Sequence, residues 1–297
     1  MPAVQMPSDL RSPATTSRAP VPAEVSRPRR AGEEPELGPP LERLQSPPIN
    51  EVICGLIFPS ISQLDPVFLG TYWEPQREEF PFRQLQPALT DQPSITLGGT
   101  PPLRVWLISK DDVFVIQVQH DRFYLNWRAR GGAYPRFSDR PEGRGLLSLL
   151  LDKFAGFTEF CSRRVGDAPK PTQIELTKVD HLVQGRHWSD FQDLAKMIPW
   201  FGDFASFSKL QTNPSVAMRF AEPRENGTLA VSLESAAFVN PEGSISPILK
   251  METRLVADLG GRDLRTAFSV ANYELNKVFA KLIPETQRRM RFSGSGK

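Results

Sequence analysis

Arg122, Tyr124, Asn126 and Arg128 take every second position of "RFYLNWR". On a β-strand that spacing sets all four side chains on one face and leaves Phe123, Leu125 and Trp127 for the other. Planar guanidinium groups alternating with an aromatic ring are suited to stack on bases, clamp phosphates or grip a partner protein. Arg130, Tyr134 and Arg136 follow in the same run, "QVQHDRFYLNWRARGGAYPRF", residues 117–137, and complete a candidate binding surface. A plainer reading competes with it: the arginine stems cover a sheet face, Trp127 is core, Asn126 ties down a loop, and Tyr134-Pro135 fixes a turn.

Other chemistry is thin. His120, His181 and His187 stand in separate contexts, none with a helical i, i+4 partner or a cysteine neighbour of metal-site type. His120 and Asp121 are adjacent, so on a strand they point to opposite faces, and a turn suits them better than a base with its orienting carboxylate. Cys54 and Cys161 both lie in apolar stretches and read as small hydrophobes. The paired glycines of "LGGTPP" and "DLGGRDLR" lack the spacing that wraps a phosphate. With no nucleophile elbow, HExxH pair or calcium loop in the sequence, the expectation is a protein without catalytic residues, cofactor or metal. "IPWFGDFASFSKL", residues 198–210, concentrates Trp200, Phe201, Phe204 and Phe207 and reads as core filling a gap, or else as an apolar patch.

Lys and Arg total 36 against 34 Asp and Glu, a formal charge of +2. No global field draws the chain to nucleic acid or an anionic membrane, so any basic site is local. No apolar run reaches the roughly 18 residues of a membrane span, and the first residues lack a hydrophobic signal core. A cytoplasmic setting is expected.

These residues must be positioned by something. Residues 1–46 are rich in Pro, Ser, Arg and Glu and read as a disordered tail, and "SGSGK" at 293–297 as a flexible end. "PPINEVICGLIF" is apolar on both faces, as a buried strand is. Asp65 and Pro66 then open a short helix, followed by strands at Leu103 to Ser109, Val113 to Gln119 and Arg122 to Arg128, and a long amphipathic helix over 145–164. The order recurs: a strand at "TQIELTKVDHLV", a helix at "WSDFQDLAKMI", strands at "SVAMRF", "TLAVSLES" and "PILKMETRLVADL", and a helix over 263–283 striped by Leu264, Phe268, Ala271, Leu275 and Leu282. The expected fold is α+β: two tandem βαβββα units, 47–168 and 169–292, whose antiparallel sheets carry two long helices on one face in a helix-grip or saddle-like outline. The strand faces opposite the helices are expected to be exposed.

"PPINEVICGLIF", "QHDRFYLNWR" with "YPRF", and "FSVANYELNKVFAKLIPE" together resemble a sporadically distributed family of bacterial proteins. The resemblance spans residues 47–290 and implies no activity, cofactor or catalytic residue. Its patchy occurrence implies an accessory role, as in defence systems, with a partner encoded by a neighbouring gene. The function expected is therefore non-enzymatic recognition of a protein partner through the sheet face and the 117–137 hairpin. Nucleic-acid binding by the Arg/Tyr face and an apolar small molecule under the helices are the alternatives.

Overall fold

In the computed structural model, residues 39, 41–90, 103–141, 143–202, 215–239 and 243–292 are described. The tail through residue 38, the "SGSGK" end, and Phe204 and Phe207 lie outside them. Strand β1 (Ile49–Ile57) and strand β6 (Gln173–Val183) run antiparallel side by side at the middle of one nine-stranded sheet. Strands β2 (Phe82–Pro87), β3 (Leu103–Ile108), β4 (Phe114–Gln119) and β5 (Arg122–Arg128) lie on the β1 side in the order β2-β3-β4-β5-β1. Strands β7 (Ala217–Arg224), β8 (Gly227–Val239) and β9 (Ile245–Asp258) continue from β6 as β6-β9-β8-β7. Outward from the centre, each half therefore pairs its first strand with its last. Every pairing is antiparallel.

The first half contains a strand that the sequence reading missed. β2, "FRQLQP", is exposed along most of its length, as an edge strand is, so it lacks the apolar alternation that marks its neighbours.

Helices α1 (Pro66–Trp73), α2 (Leu146–Arg164) and α4 (Leu264–Leu282) pack on the face that carries Val52, Cys54, Leu56, Phe123 and Leu125. Asp65, as expected, caps α1 by accepting the Phe68 N–H at 2.7 Å, and Asp263 caps α4 by accepting the Thr266 N–H at 2.9 Å. Phe154 and Phe157 of α2 meet Phe123 at centroid distances of 5.6 and 5.2 Å. A second apolar cluster joins Leu182, Leu233, Leu249 and Met251 to helix α3 (Phe191–Met197), the end of α4 and Phe292. The basic run Arg288 to Phe292 belongs to helix α5 (Glu285–Phe292). Phe292 anchors it in this cluster while Arg291 holds Asp193 at 2.6 Å. Of the aromatic loop, Phe201 is core and Trp200 is half exposed against Phe220.

β1 carries one glycine among its bulky residues, and its register explains why. Gly55 faces Tyr124 across the β1/β5 ladder, and a Cβ there would lie 2.2 Å from the Tyr124 ring. The missing side chain lets that ring lie over β1. Gly55→Ala is expected to displace Tyr124 and cost about 2–4 kcal/mol, from overpacking plus a lost buried hydrogen bond. Chemical denaturation reads it, and a cost below about 1 kcal/mol would show the ring to be free to move.

Candidate functional site

On the face opposite the helices, the alternation places Arg122, Tyr124, Asn126 and Arg128 together as the sequence implies. Their exposure is not as expected. Arg122, Tyr124 and Asn126 are buried and Arg128 is largely so; Arg122 pairs with the neighbouring Asp121 at 3.4 Å, and partners from other strands close over the rest. The Tyr124 hydroxyl crosses β1 and donates to Glu175 on β6 at 3.0 Å. Glu175 also accepts Arg254 of β9 through two bonds of 2.8 and 2.9 Å. Asn126 donates to Glu51 at 2.8 Å, and Arg128 pairs with Asp112 at 2.9 Å and with Glu51 at 3.5 Å. Arg130, at the rim, joins Asp112 at 2.6 Å. A charge reversal at Arg122 or Arg128 would thus break a structural network rather than blunt a free surface. His120 and Asp121 form the turn between β4 and β5.

Tyr134 and Arg136 go elsewhere. The turn that follows β5 passes to the helix side, where the Arg136 and Phe137 carbonyls accept the N–H groups of Leu146 and Leu147 at 3.0 Å each, and Asp139 accepts that of Gly145 at 2.8 Å. The first N–H groups of α2 are satisfied this way. Arg136 is held at φ 72°, a left-handed conformation that costs a non-glycine residue about 1 kcal/mol or more.

Beside it opens a pocket of about 240 Å³ that Tyr134 and Arg136 line together with Lys178 of β6 and Asn272 and Asn276 of α4. Lys178 was missed at the sequence level. Its ammonium donates to Asn272 Oδ1 and Asn276 Oδ1, each at 2.6 Å. Burial pulls Lys178 down to about 8, and Asp180, two residues along the same strand face, is pushed up to about 7 by burial, with Lys178 opposing the shift. Burial raises the Tyr134 phenol as well. Cys54, beside Lys178 on β1, is pushed up to about 12 by burial, so the inert small hydrophobe expected of it fits. The signal for this site was present: Ile174, Leu176, Lys178, Asp180 and Leu182 share one strand face, and two charges on an otherwise apolar face mark a buried pair. Asn272 and Asn276 likewise sit one helical turn apart beside the apolar stripe of α4.

The outer wall is the chain itself. Leu41 to Ser46, expected to belong to the disordered tail, lie across the pocket as a strap. Arg136 donates to the Leu44 and Gln45 carbonyls at 2.9 and 3.1 Å. Glu42 meets Arg289 at 3.1 Å and Arg288 at 3.6 Å, and the Ser46 N–H reaches the Phe292 carbonyl at 3.0 Å. Composition concealed these anchors because the cations that hold the strap are supplied from far along the chain. Beyond the strap a recess of about 510 Å³ continues, and Pro47, Ile49, Tyr134 and Arg136 line both spaces.

Among the described residues no group of three or more His, Cys, Asp or Glu side chains is placed to hold a metal, and no helix is long and apolar enough to cross a membrane. The chain matches no protein-family model, curated protein or solved structure with which it was compared.

Asp180 gives the site a pH signature. Its folded value lies above that of the unfolded chain, so the folded state holds the extra proton between pH 4 and 7, and that contribution to stability is lost as pH rises through 7. Asn mimics the protonated acid. Asp180→Asn is therefore expected to match the wild type near pH 4 and to be the more stable chain by a few kcal/mol at pH 7.5, because each tenfold change in proton affinity on folding is worth about 1.4 kcal/mol. Denaturation curves of both chains across that range read the difference, and a constant difference would mean that the carboxyl is not held neutral.

Proposed function

We propose that the chain is a binding protein whose ligand seat is the pocket between the 41–48 strap, the 134–137 turn, β6 and α4. The observation that carries this is a convergence: three segments far apart in sequence, 47–50, 134–137 and 268–285, deliver Ile49, Tyr134, Arg136, Asn272 and Asn276 around one buried ammonium. These segments are also the ones on which the family resemblance rests. Buried ionisable groups and local backbone strain gathered at one cavity are the marks of a functional site. Neither helps the fold: a buried Lys is costlier than the apolar residue it displaces. The mirrored strand order supports reading the chain as two tandem units, the second βαβββα and the first the same with β2 added, with their long helices gripping one face, and in that arrangement the seat lies where the second unit's first strand meets its last long helix.

The test is a fragment screen by two-dimensional NMR on the full chain. Binding fragments are expected to shift the side-chain amide signals of Asn272 and Asn276, and Ala280→Phe, which fills the pocket, should abolish those shifts. Hits that map elsewhere, or that survive the filled pocket, would overturn the assignment.

A second reading, recognition of a protein partner, is favoured by the β2 edge. Val67, Phe82 and Leu85 are exposed there beside a groove of about 460 Å³, and an edge unpaired among the described residues invites an added strand. On the face of the adjoining strands opposite the helices, Arg104 Nε, Trp106 Nε1, Gln117 Oε1 and Asn126 Oδ1 are buried without a hydrogen-bond partner. Phe82→Lys with Leu85→Lys is expected to leave the melting curve unchanged and abolish co-purification with the product of an adjacent gene. Undiminished co-purification would rule out this edge.

A further inference from the structure

We infer that the pocket takes a compact anion, a carboxylate or phosphate group, and that the strap's Glu42 carboxylate competes with it for the pocket's cations. This rests on the pocket being the ligand seat. Among the described residues, Arg43, Arg136, Arg140, Lys178 and Arg288 line the space against the single acid Glu42. In a chain with a formal charge of only +2, that is a concentrated local field.

The unfilled hydrogen-bonding capacity has the same sign. An ammonium has three N–H groups, and Lys178 uses two, both on the asparagine oxygens. With their oxygens turned to Lys178, Asn272 and Asn276 leave their amide nitrogens as donors, and neither nitrogen has a partner among the described residues. The seat therefore offers donors around a positive charge, the arrangement an oxyanion completes and a cation does not. An anion beside Lys178 would also offset the burial that lowers it. The space beside Lys178, about 240 Å³, is below the roughly 300–1,000 Å³ of drug-sized sites, so the anionic group seated there is compact.

The strap holds the mouth as an anion would. Glu42 lies 3.6 Å from Arg288, while the Leu44 and Gln45 carbonyls occupy the two terminal nitrogens of Arg136. An incoming oxyanion meets these same guanidinium groups, so binding and strap docking oppose each other. Arg43 sits within the strap and offers a tryptic site that reports its release.

The experiment is isothermal titration calorimetry of the full chain with inorganic phosphate and with malonate at low salt, comparing wild type, Glu42→Gln, Lys178→Met and Asn276→Leu. One anion or both should bind, Glu42→Gln should bind roughly three- to tenfold tighter, and Lys178→Met and Asn276→Leu should each lose tenfold or more. The bound anion should also speed tryptic cleavage after Arg43. Equal affinity in wild type and Glu42→Gln, with no change in cleavage, would overturn the competition by the strap. Binding that persists in both Lys178→Met and Asn276→Leu would overturn the anion seat. If neither anion binds any of the chains while neutral fragments still shift the Asn272 and Asn276 amides, the ligand class is wrong and the pocket stands. If fragments also fail there, the seat itself is wrong.

Discussion

The middle of the sheet depends on a carboxylate that a tyrosine reaches only because a side chain is missing. Tyr124 leaves β5, passes over Gly55 of β1, and donates to Glu175 of β6, which Arg254 of β9 grips with two bonds. One acidic side chain thus ties four consecutive strands, and it does so where the two halves of the chain meet. Glu175 is buried, so its charge requires Arg254 and the Tyr124 hydroxyl together; removing either partner leaves a buried charge short of bonds. The arrangement is worth more as a device for register than as a source of net stability. Ion pairs in a low-dielectric setting gain little over apolar packing but strongly penalise any misalignment of their partners.

That distinction accounts for what could be read from the sequence. Alternation in "RFYLNWR" correctly divided the strand into two faces, since the period of a β-strand is a local property. Exposure is not local. Whether Tyr124 and Asn126 meet solvent is decided by Glu51, Glu175 and Arg254, which stand far from them in the chain. A helix-free face was equated with an open one, and the ionic layer on it invalidates that step. The same limit hid the strap: Leu41 to Ser46 have the composition of a tail and are fixed by Arg136, Arg288, Arg289 and the Phe292 carbonyl, all distant in the chain. The long helices were legible to within a residue because their stripes and caps are encoded in adjacent turns. Strand β2 was not, because an exposed edge has no apolar face to repeat.

Lys178 and Asp180 are a different case, since their signal was in plain view. An ammonium and a carboxyl on the face of Ile174, Leu176 and Leu182 break the apolar pattern that the rest of β6 keeps. Replacing both with aliphatic side chains would remove a desolvation cost, and the helix face would lose nothing in continuity. Their presence together with Asn272 and Asn276 is not accounted for by folding alone. The strained backbone of Arg136 points the same way, since a loop at that position could be closed by a glycine without the left-handed penalty.

The two polar systems meet on a single strand. Along β6, Glu175 and Thr177 face the ionic layer, while Lys178, which lines the pocket, and Asp180 face the helix side, so the sets stand back to back through one backbone. A slip of one residue in the β1/β6 ladder would carry Lys178 out of reach of Asn272 and Asn276 and turn Glu175 into the apolar layer beneath the helices. The Tyr124–Glu175–Arg254 staple forbids that slip, because its geometry exists in one register only. Of the residues first suspected of binding, Tyr134 and Arg136 line the pocket, while Arg122, Tyr124, Asn126 and Arg128 act at a distance from it. They fix the frame in which a lysine of the central strand β6 lies beneath a turn near the middle of the chain and a strap near its start.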